Sequence, residues 1–251
     1  MPAEGHRSFP MTQDDPSPRP VGAPVVDWSP RPLPGGEVLE GRYARLEPLS
    51  AEAHAAFLFA AFDGHDWLWD YMPNGPYSSA AQYHRWVRDV EDDPAFAFYA
   101  ILDLETGHYG GVASFLRMDP ANGVIEVGNI NFAPVLQRTR AATEAMALMM
   151  GWAFENGYRR YEWKCNALNR PSRQAAQRLG FSFEGVFRQH MVVKGLNRDT
   201  AWFGIVDAEW PALREAYGVW LDPSNFNADG SQQERLSDLT RLVRASSDPT
   251  L

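Results

Sequence analysis

The sequence predicts one mixed α/β domain with a tail at each end. Segments rich in β-branched and aromatic residues alternate along the chain with segments whose apolar residues recur every three or four positions. Of the 251 residues, 45% are hydrophobic, which is enough for one sizeable core. No internal repeat divides the chain, so a single folding unit is expected.

The two ends of the chain differ in composition from its centre. Residues 1–24 are rich in Pro, Ser, Asp and Gly and lack periodic apolar positions, which predicts a disordered tail. Residues 25–37 contain Trp28 and several prolines, so we expect an extended arm lying on the domain. The domain itself is predicted over 38–220, followed by a C-terminal tail over 221–251 that carries an amphipathic helix.

The first half of the domain begins with a predicted strand over 39–49 and a helix over 51–62, with Ser50 as its cap. A second helix is predicted over 79–90. The aromatic segment between these helices, residues 66–76, is interrupted by Pro and Gly and is therefore predicted to be a loop.

The second half alternates strands and helices, separated by glycine-containing turns. An apolar stripe from Ala142 to Ala153 predicts a helix packed on the sheet, ending at Asn156-Gly157. Strands are predicted at 96–102, 110–118, 124–132, 158–166, 181–193 and 198–206, and further helices at 171–179, 210–220 and 231–245.

Composition excludes several classes of function. The net charge of −9 and the pI of about 5.1 argue against a nucleic-acid partner, which would need a basic face. The single cysteine, Cys165, cannot form an internal disulfide or a thiolate zinc site, and the six histidines lack metal-ligand spacing. No apolar run has membrane-spanning or signal-peptide character, so we expect a cytoplasmic protein without a membrane partner.

Residues 137–142 lie between a predicted buried strand and an alanine-rich helix. The first N–H groups of a helix lack intrahelical partners, and the helix dipole favours negative charge there, so this position suits a phosphate. An ordinary strand–helix connection with two exposed arginines, Arg138 and Arg140, is the alternative interpretation.

Several segments in order carry a family resemblance: Glu126-Val-Gly-Asn-Ile-Asn-Phe, then Gln137 to Glu144, then Asn169-Arg-Pro-Ser172, then Leu179-Gly-Phe. Together they resemble the acyl-CoA-binding core of the GNAT N-acetyltransferase superfamily, over roughly residues 38–207. The branch that includes ribosomal-protein N-terminal acetyltransferases is the most similar. The resemblance implies a single α+β domain with a mixed, mostly antiparallel twisted sheet of about seven strands and helices on both faces.

The same resemblance implies an acetyl-CoA-dependent enzyme that acetylates a primary amine of a small molecule, as a monomer or homodimer and without a metal. Nα-acetylation of a protein terminus is one alternative. A non-catalytic acyl-CoA-binding module is another, because Arg140 replaces a usual glycine and Ala176 replaces a usual tyrosine. The implied acetyl-CoA contacts are Phe132, Gln137, Arg138, Thr139, Arg140, Ala141, Ala142 and Asn169.

Two residues are implied to be catalytic. Glu126 lies where the family branch has its proposed base for the amine, although simple strand alternation could also turn it to solvent. Ser172 matches a proposed proton donor to the leaving thiolate, although a serine in a first helical turn is often only a cap. Gly128, Asn129 and Asn131 indicate a bulge that would open the strand to the thioester.

The acceptor site is expected beside the loop between the first two helices. Aromatic rings with carboxylates suit a cationic amine, but the rings could equally complete the core. The predicted acceptor contacts are Trp67, Trp69, Asp70, Tyr71 and Asn131. Which of the side chains of Arg188, His190, Arg198, Asp199 and Trp202 face this site is left open.

Overall fold

The computed structural model describes residues 19–251, and in these an eight-stranded sheet runs in the order β1-β2-β3-β4-β5-β6-β8-β7. Neighbouring strands are antiparallel except for the parallel pair β5 and β6. This confirms the predicted mixed, mostly antiparallel domain. The strands are β1 Leu39–Glu40, β2 Ala44–Pro48, β3 Phe96–Asp103, β4 His108–Asp119, β5 Val124–Phe132, β6 Arg160–Asn166, β7 Ser182–Val193 and β8 Leu196–Val206.

The eighth strand arises because the single strand expected over 39–49 is two strands. β1 and β2 pair with each other across a tight turn. The buried carboxylate of Glu144 accepts hydrogen bonds from the backbone N–H groups of Arg42, Tyr43 and Ala44 at 2.5–2.9 Å. Gly41 is required there because a Cβ would collide with that carboxylate. The count of about seven strands was therefore one too low.

The helices are α1 Ala51–Phe62, α2 Ala80–Glu91, α3 Arg140–Glu155, α4 Arg170–Arg178, α5 Trp210–Leu221 and α6 Leu236–Arg241. Side chains cap four of these helices. Ser50, Ser79, Thr139 and Asn169 each accept a hydrogen bond from the first turn that follows, which satisfies N–H groups that have no partner inside the helix.

Helices cover both faces of the sheet and enclose two hydrophobic cores. The larger core lies between the sheet and α3, α4, α5 and α6, and includes Phe115, Tyr161 and Phe203. The smaller core lies on the opposite face, where α1 and α2 pack on β3 and β4. On that opposite face, α1 and α2 cover only the β2–β4 half, and β5, β6 and β8 carry polar side chains there.

The helix predicted over 231–245 is much shorter than expected. Backbone groups of residues 232–234 pair with the loop at Phe226 and Asn225 instead of forming a helix. After α6, the N–H of Ala245 donates to the Ser182 hydroxyl. Tertiary hydrogen bonds therefore limit the helix to six residues.

Most of the predicted tail, residues 1–18, lies outside the described residues. In the arm, the Trp28 indole donates to the Ala121 carbonyl at 2.7 Å, and Tyr158 donates to the Pro32 carbonyl at 2.8 Å. The Trp152 indole donates to the Glu37 carboxylate. Between residues 19 and 251, no helix combines the length and the apolar character that a membrane span needs.

Candidate active site

β5 and β6 separate from one another partway along their length. They pair only where Val124–Val127 face Arg160–Trp163. Beyond that point β5 contains the predicted bulge, which lies between its pairs with Val112 and Ser114 and gives Asn129 a φ of +50°. The result is a gap between the two strands, and short loops lead from their ends to the N-termini of α3 and α4.

The loop before α3 leaves backbone donors without partners. The N–H groups of Arg138, Arg140 and Ala141 donate to no acceptor among residues 19–251. Ala142 differs, because its N–H donates to the Thr139 hydroxyl at 3.0 Å. The Gln137 side chain closes the loop by donating to the Phe132 carbonyl at 2.8 Å. Free N–H groups at the start of a helix are suited to an anion.

Arg140 has a structural setting of its own. It begins α3 with ordinary helical backbone, so the position needs no glycine. Its guanidinium lies 4.8 Å from the ring centres of both Tyr43 and Phe226 and forms an ion pair with Glu105. The residue with left-handed backbone is instead Arg138, with a φ of +63°.

At the start of α4, Asn169 accepts a hydrogen bond from the Ser172 N–H at 3.1 Å. The Ser172 hydroxyl oxygen accepts a hydrogen bond from the Trp163 indole at 3.1 Å, and this bond does not use the Ser172 proton. Cys165 is buried beside this hydroxyl, and burial raises the pKa of its thiol. Cys165 thus has the surroundings of a buried apolar residue rather than of a thiolate nucleophile.

Glu126 lies on the opposite face of the sheet, close to the point where β5 and β6 separate. It is only 2% exposed, so the alternative in which it faces solvent does not hold. Arg117 of β4 approaches both of its oxygens, at 2.8 and 2.9 Å, and the Lys164 ammonium approaches Oε2 at 2.8 Å. A carboxylate has about four acceptor positions, so one remains on Oε1. Gly128 borders this oxygen: a Cβ there would lie 3.5 Å from Oε1, an ordinary contact, and 2.9 Å from Cδ2 of Leu116.

A second carboxylate shares the lysine. Lys164 contacts Glu162 at 2.6 Å, and Glu162 also accepts from Arg160 at 2.6 Å. Burial favours a higher pKa for Glu162, but the hydrogen bonds from Lys164 and Arg160 outweigh it and hold the pKa below its ordinary value. Glu162 is therefore a stable anion that anchors the lysine.

Two groups beside the gap have unused donors. Asn131 is 4% exposed, and its amide nitrogen has no hydrogen-bond partner. The N–H of Ala133 donates to Gly110 on the β4 side, so strand alternation turns the N–H of Phe132 toward the gap. A bound carbonyl oxygen in the gap could accept from either group.

The predicted acceptor residues in the loop between α1 and α2 differ in burial. Trp69 is buried within an aromatic cluster with Phe62, Tyr77 and Trp86, so its ring completes the core. Trp67, Asp70 and Tyr71 are exposed. Two hydrogen bonds hold the loop over the site: Tyr71 donates to the Leu168 carbonyl at 3.4 Å, and Lys194 donates to the Trp69 carbonyl at 2.9 Å.

Sequence reasoning missed Arg117 and Lys164, the two cations that contact Glu126. Lys164 follows Glu162 on the polar face of β6, and that alternation was available as a signal. Arg117 has a φ of +45°, which sequence does not reveal. In the described part of the chain, no three His, Cys, Asp or Glu side chains form a potential metal site.

Residues 44–182 match the family of acetyltransferase (GNAT) domains. A crystal structure of a GCN5-related N-acetyltransferase from Brucella melitensis is 46% identical, with a TM-score of 0.84 over 86% of this chain and 100% of that one. A probable GNAT-family acetyltransferase from Chromobacterium violaceum is 38% identical, with a TM-score of 0.73 over 79% of this chain and 100% of that one.

A third similar structure is an acetyl transferase from Salmonella typhimurium described as modifying the N-terminal serine of ribosomal protein L7/L12. It is 20% identical, with a TM-score of 0.59 over 68% of this chain and 99% of that one, which is a likeness of fold. Among curated proteins, none matches the sequence.

Proposed function

This chain belongs to the GNAT acetyltransferase family, whose members transfer an acetyl group from acetyl-CoA, and from that premise we propose that it N-acetylates a primary amine of a small molecule. The amine would bind on the polar face of the sheet, beside Glu126. Attack on the thioester would be direct, with no acetyl-cysteine, because Cys165 is buried and its pKa is raised.

The residues at the gap fit acetyl-CoA. The free N–H groups of Arg138, Arg140 and Ala141 suit the pyrophosphate, with Gln137 and Thr139 fixing the loop, and Asn169 is our candidate for the pantetheine arm. The strand gap beside Phe132 gives the thioester an entry between β5 and β6. When bound, acetyl-CoA supplies the activated acyl group and a thiolate leaving group.

Glu126 is the proposed base. An alkylamine is mostly protonated near neutral pH, so it must lose a proton before it attacks. The remaining acceptor position on Oε1, beside Gly128, allows Glu126 to take that proton directly or through one water. Arg117 and Lys164 hold the carboxylate in one orientation toward the gap.

Three further groups of the chain complete the proposed chemistry. The N–H of Phe132 and the free amide of Asn131 would donate to the oxygen that becomes negative during attack. The Ser172 hydroxyl would give its proton to the thiolate. Its lone pair already accepts from Trp163, which supports a donor role.

The enclosure of Glu126 is the observation that favours a small acceptor. A protein terminus needs an open groove beside the base, whereas Glu126 and Asn131 are 2% and 4% exposed. The α1–α2 loop is held across this side of the sheet by its hydrogen bonds to Leu168 and Lys194. The exposed Trp67, Asp70 and Tyr71 would form the entrance that a cationic amine meets first.

The test is release of free CoA from acetyl-CoA in the presence of two libraries, one of small amines and one of peptides with free N-termini. We expect turnover with small amines and little with peptides. Turnover confined to peptides would show that the acceptor is a protein terminus and not a small molecule. Tight CoA binding without turnover in either library would indicate a binding module.

A further inference from the structure

Two buried donors on β8 have no partner. The Nε of Arg198 and the indole nitrogen of Trp202 are both buried, and neither forms a hydrogen bond with any residue from 19 to 251. Unpaired buried donors are costly, because the lost contact with water is not replaced. Two of them on one strand indicate a place where a bound group supplies the acceptor atoms.

These donors share the face that carries Glu126. Trp202 pairs in register with Lys164, whose ammonium lies 4.0 Å from the centre of the indole ring and contacts Glu126. Arg198 lies four residues before Trp202 on the same strand. Because side chains alternate between the two faces of a sheet, both face the same side. Donors and the proposed base therefore border one site.

The site carries more positive than negative charge, in a chain whose net charge is −9. Lys164 and Arg117 contact Glu126, and Lys164 also contacts Glu162, whereas Arg198 forms no ion pair with a described residue. Burial lowers the pKa of the Arg198 guanidinium; Arg117 lowers it further, while Cys165 and Glu126 raise it. An anion beside Arg198 would relieve this unfavourable setting.

A surface cavity lies beside this part of the sheet. It has a volume of about 730 Å³ and is lined in part by Phe187 and His190. The ring centres of these residues lie 4.5 and 6.0 Å from that of Trp202, and His190 also contacts the Thr200 hydroxyl at 3.0 Å. These ring contacts place the cavity next to Trp202, although its lining residues include Asp199 and neither of the two unpaired donors.

We propose that Arg198 and Trp202 bind a carboxylate of the acceptor, so that the substrate is an amine that also carries a carboxylate, as an amino acid does. This proposal rests on the proposed function. Arg198 supplies the charge that a carboxylate needs, and the Trp202 indole adds a neutral donor. Glu126 attracts the ammonium end of the same molecule. The unpaired Arg198 and the remaining acceptor position of Glu126 match the two ends of a zwitterion.

The test measures binding by calorimetry, which does not depend on turnover. The probes are N-acetyl-L-amino acids, which are the expected products, and the same compounds as carboxamides. We expect the wild-type protein to bind at least one acid about 10- to 100-fold more tightly than its amide, the usual range for a charge-assisted hydrogen bond. Matched N-acetyl aminoalkylphosphonates should bind more weakly than the acids; tighter phosphonate binding would overturn the assignment of a carboxylate.

Two variants and a control locate the effect. R198M should abolish the preference for acid over amide, and W202F, which keeps the ring over Lys164, should reduce it several-fold. R214M removes an exposed arginine of α5, which packs on the other face of the sheet, and should retain the full preference. Melting curves would confirm folding, which R198M should not impair, because it removes an unpaired buried charge.

Three results would overturn the proposal: no binding of either series to the wild type, equal binding of acid and amide, or an undiminished preference in R198M. The proposed function has a separate readout, because thiol release with amines that lack an anionic group would persist if only the carboxylate site were wrong. A carboxylate preference without any thiol release would instead refute the acetyltransfer step.

Discussion

Glu126 shows how the surroundings of a single carboxylate prepare it for one task. Arg117 and Lys164 orient it, and one acceptor position remains on Oε1, beside Gly128. Glu162 is its neighbour in register on β6 and shares the lysine. The two carboxylates thus lie side by side on one face of the sheet, Glu126 on β5 and Glu162 on β6.

We expect E126Q to lower kcat by roughly 10²–10⁴-fold, the usual contribution of general acid–base catalysis, because glutamine cannot accept the proton. Affinity for CoA should barely change, since the phosphate loop is a separate element. The measurement is steady-state thiol release with CoA affinity from calorimetry. E162Q is the matched control and should remain within threefold of wild type. An E126Q enzyme as active as E162Q would show that Glu126 is structural.

The phosphate loop allows a second prediction for single residues. A142D should abolish CoA binding, because it places a negative charge beside the free N–H groups at the start of α3. R140G should keep CoA affinity but lower the melting temperature, because Arg140 pairs with Glu105 and contacts Tyr43 and Phe226. Calorimetry and thermal melting of both variants provide the test. Unchanged CoA affinity in A142D would refute the assignment of the loop.

Helix α4 depends on the C-terminal segment that crosses it. Arg173 of α4 forms an ion pair with the buried Asp248, and the N–H of Asp248 donates to the Gln177 side chain at 2.7 Å. Thr240 donates to the Arg178 carbonyl at 3.0 Å. Because α4 begins at the proposed acetyl-CoA contacts, its position is set by residues nearly eighty positions further along the chain.

We expect D248N to lower the free energy of unfolding at pH 7 by about 3 kcal/mol, as for other broken buried pairs. Burial alone would raise the pKa of Asp248, but hydrogen bonds from Thr250 and Arg173 hold it below the ordinary 3.8. The unfolded chain therefore takes up the proton first as pH falls. The contribution of Asp248 is complete above pH 3.8 and is lost as pH falls through the lower, folded-state pKa.

Urea unfolding of wild type and D248N at pH 7 and at pH values below 4 would measure this difference. The difference in unfolding free energy between wild type and D248N should be smaller at the lower pH. E40Q is the control, because its ion pair with Arg45 is exposed and should contribute about 0.5 kcal/mol or less. A difference in unfolding free energy that does not change with pH would contradict the role of the Asp248 charge.

At the scale of the whole molecule, both cores share one sheet, and the arm is held by residues that lie far apart in the sequence. Trp28 contacts the turn between β4 and β5, and Tyr158 and Trp152 hold the arm at Pro32 and Glu37. Residues 1–24, by contrast, contain few apolar residues, and from this composition we predict that they add little to stability.

Two truncations test this difference. A chain starting at Val25 should keep the melting temperature and turnover of the full protein. A chain starting at Val38 should melt several degrees lower, because it loses the half-buried Trp28 indole and the hydrogen bonds of the arm. Differential scanning calorimetry would measure both. A large loss of stability on removal of residues 1–24 alone would contradict the composition argument.

The sequence by itself determined the local structure, because strand alternation, helical spacing and caps are encoded by near neighbours. α1 was predicted at its observed bounds, and the bulge near Asn129 was indicated by Gly128 and two asparagines. The tertiary structure decided everything that needs distant residues to meet. Glu144 splits the first strand, Arg117 and Lys164 enclose Glu126, and Trp69 joins the core whereas Trp67 stays exposed. Arg198 and Trp202 became candidates only after the sheet had placed them on the face of Glu126, because burial and the absence of a partner belong to the packed molecule and not to the chain.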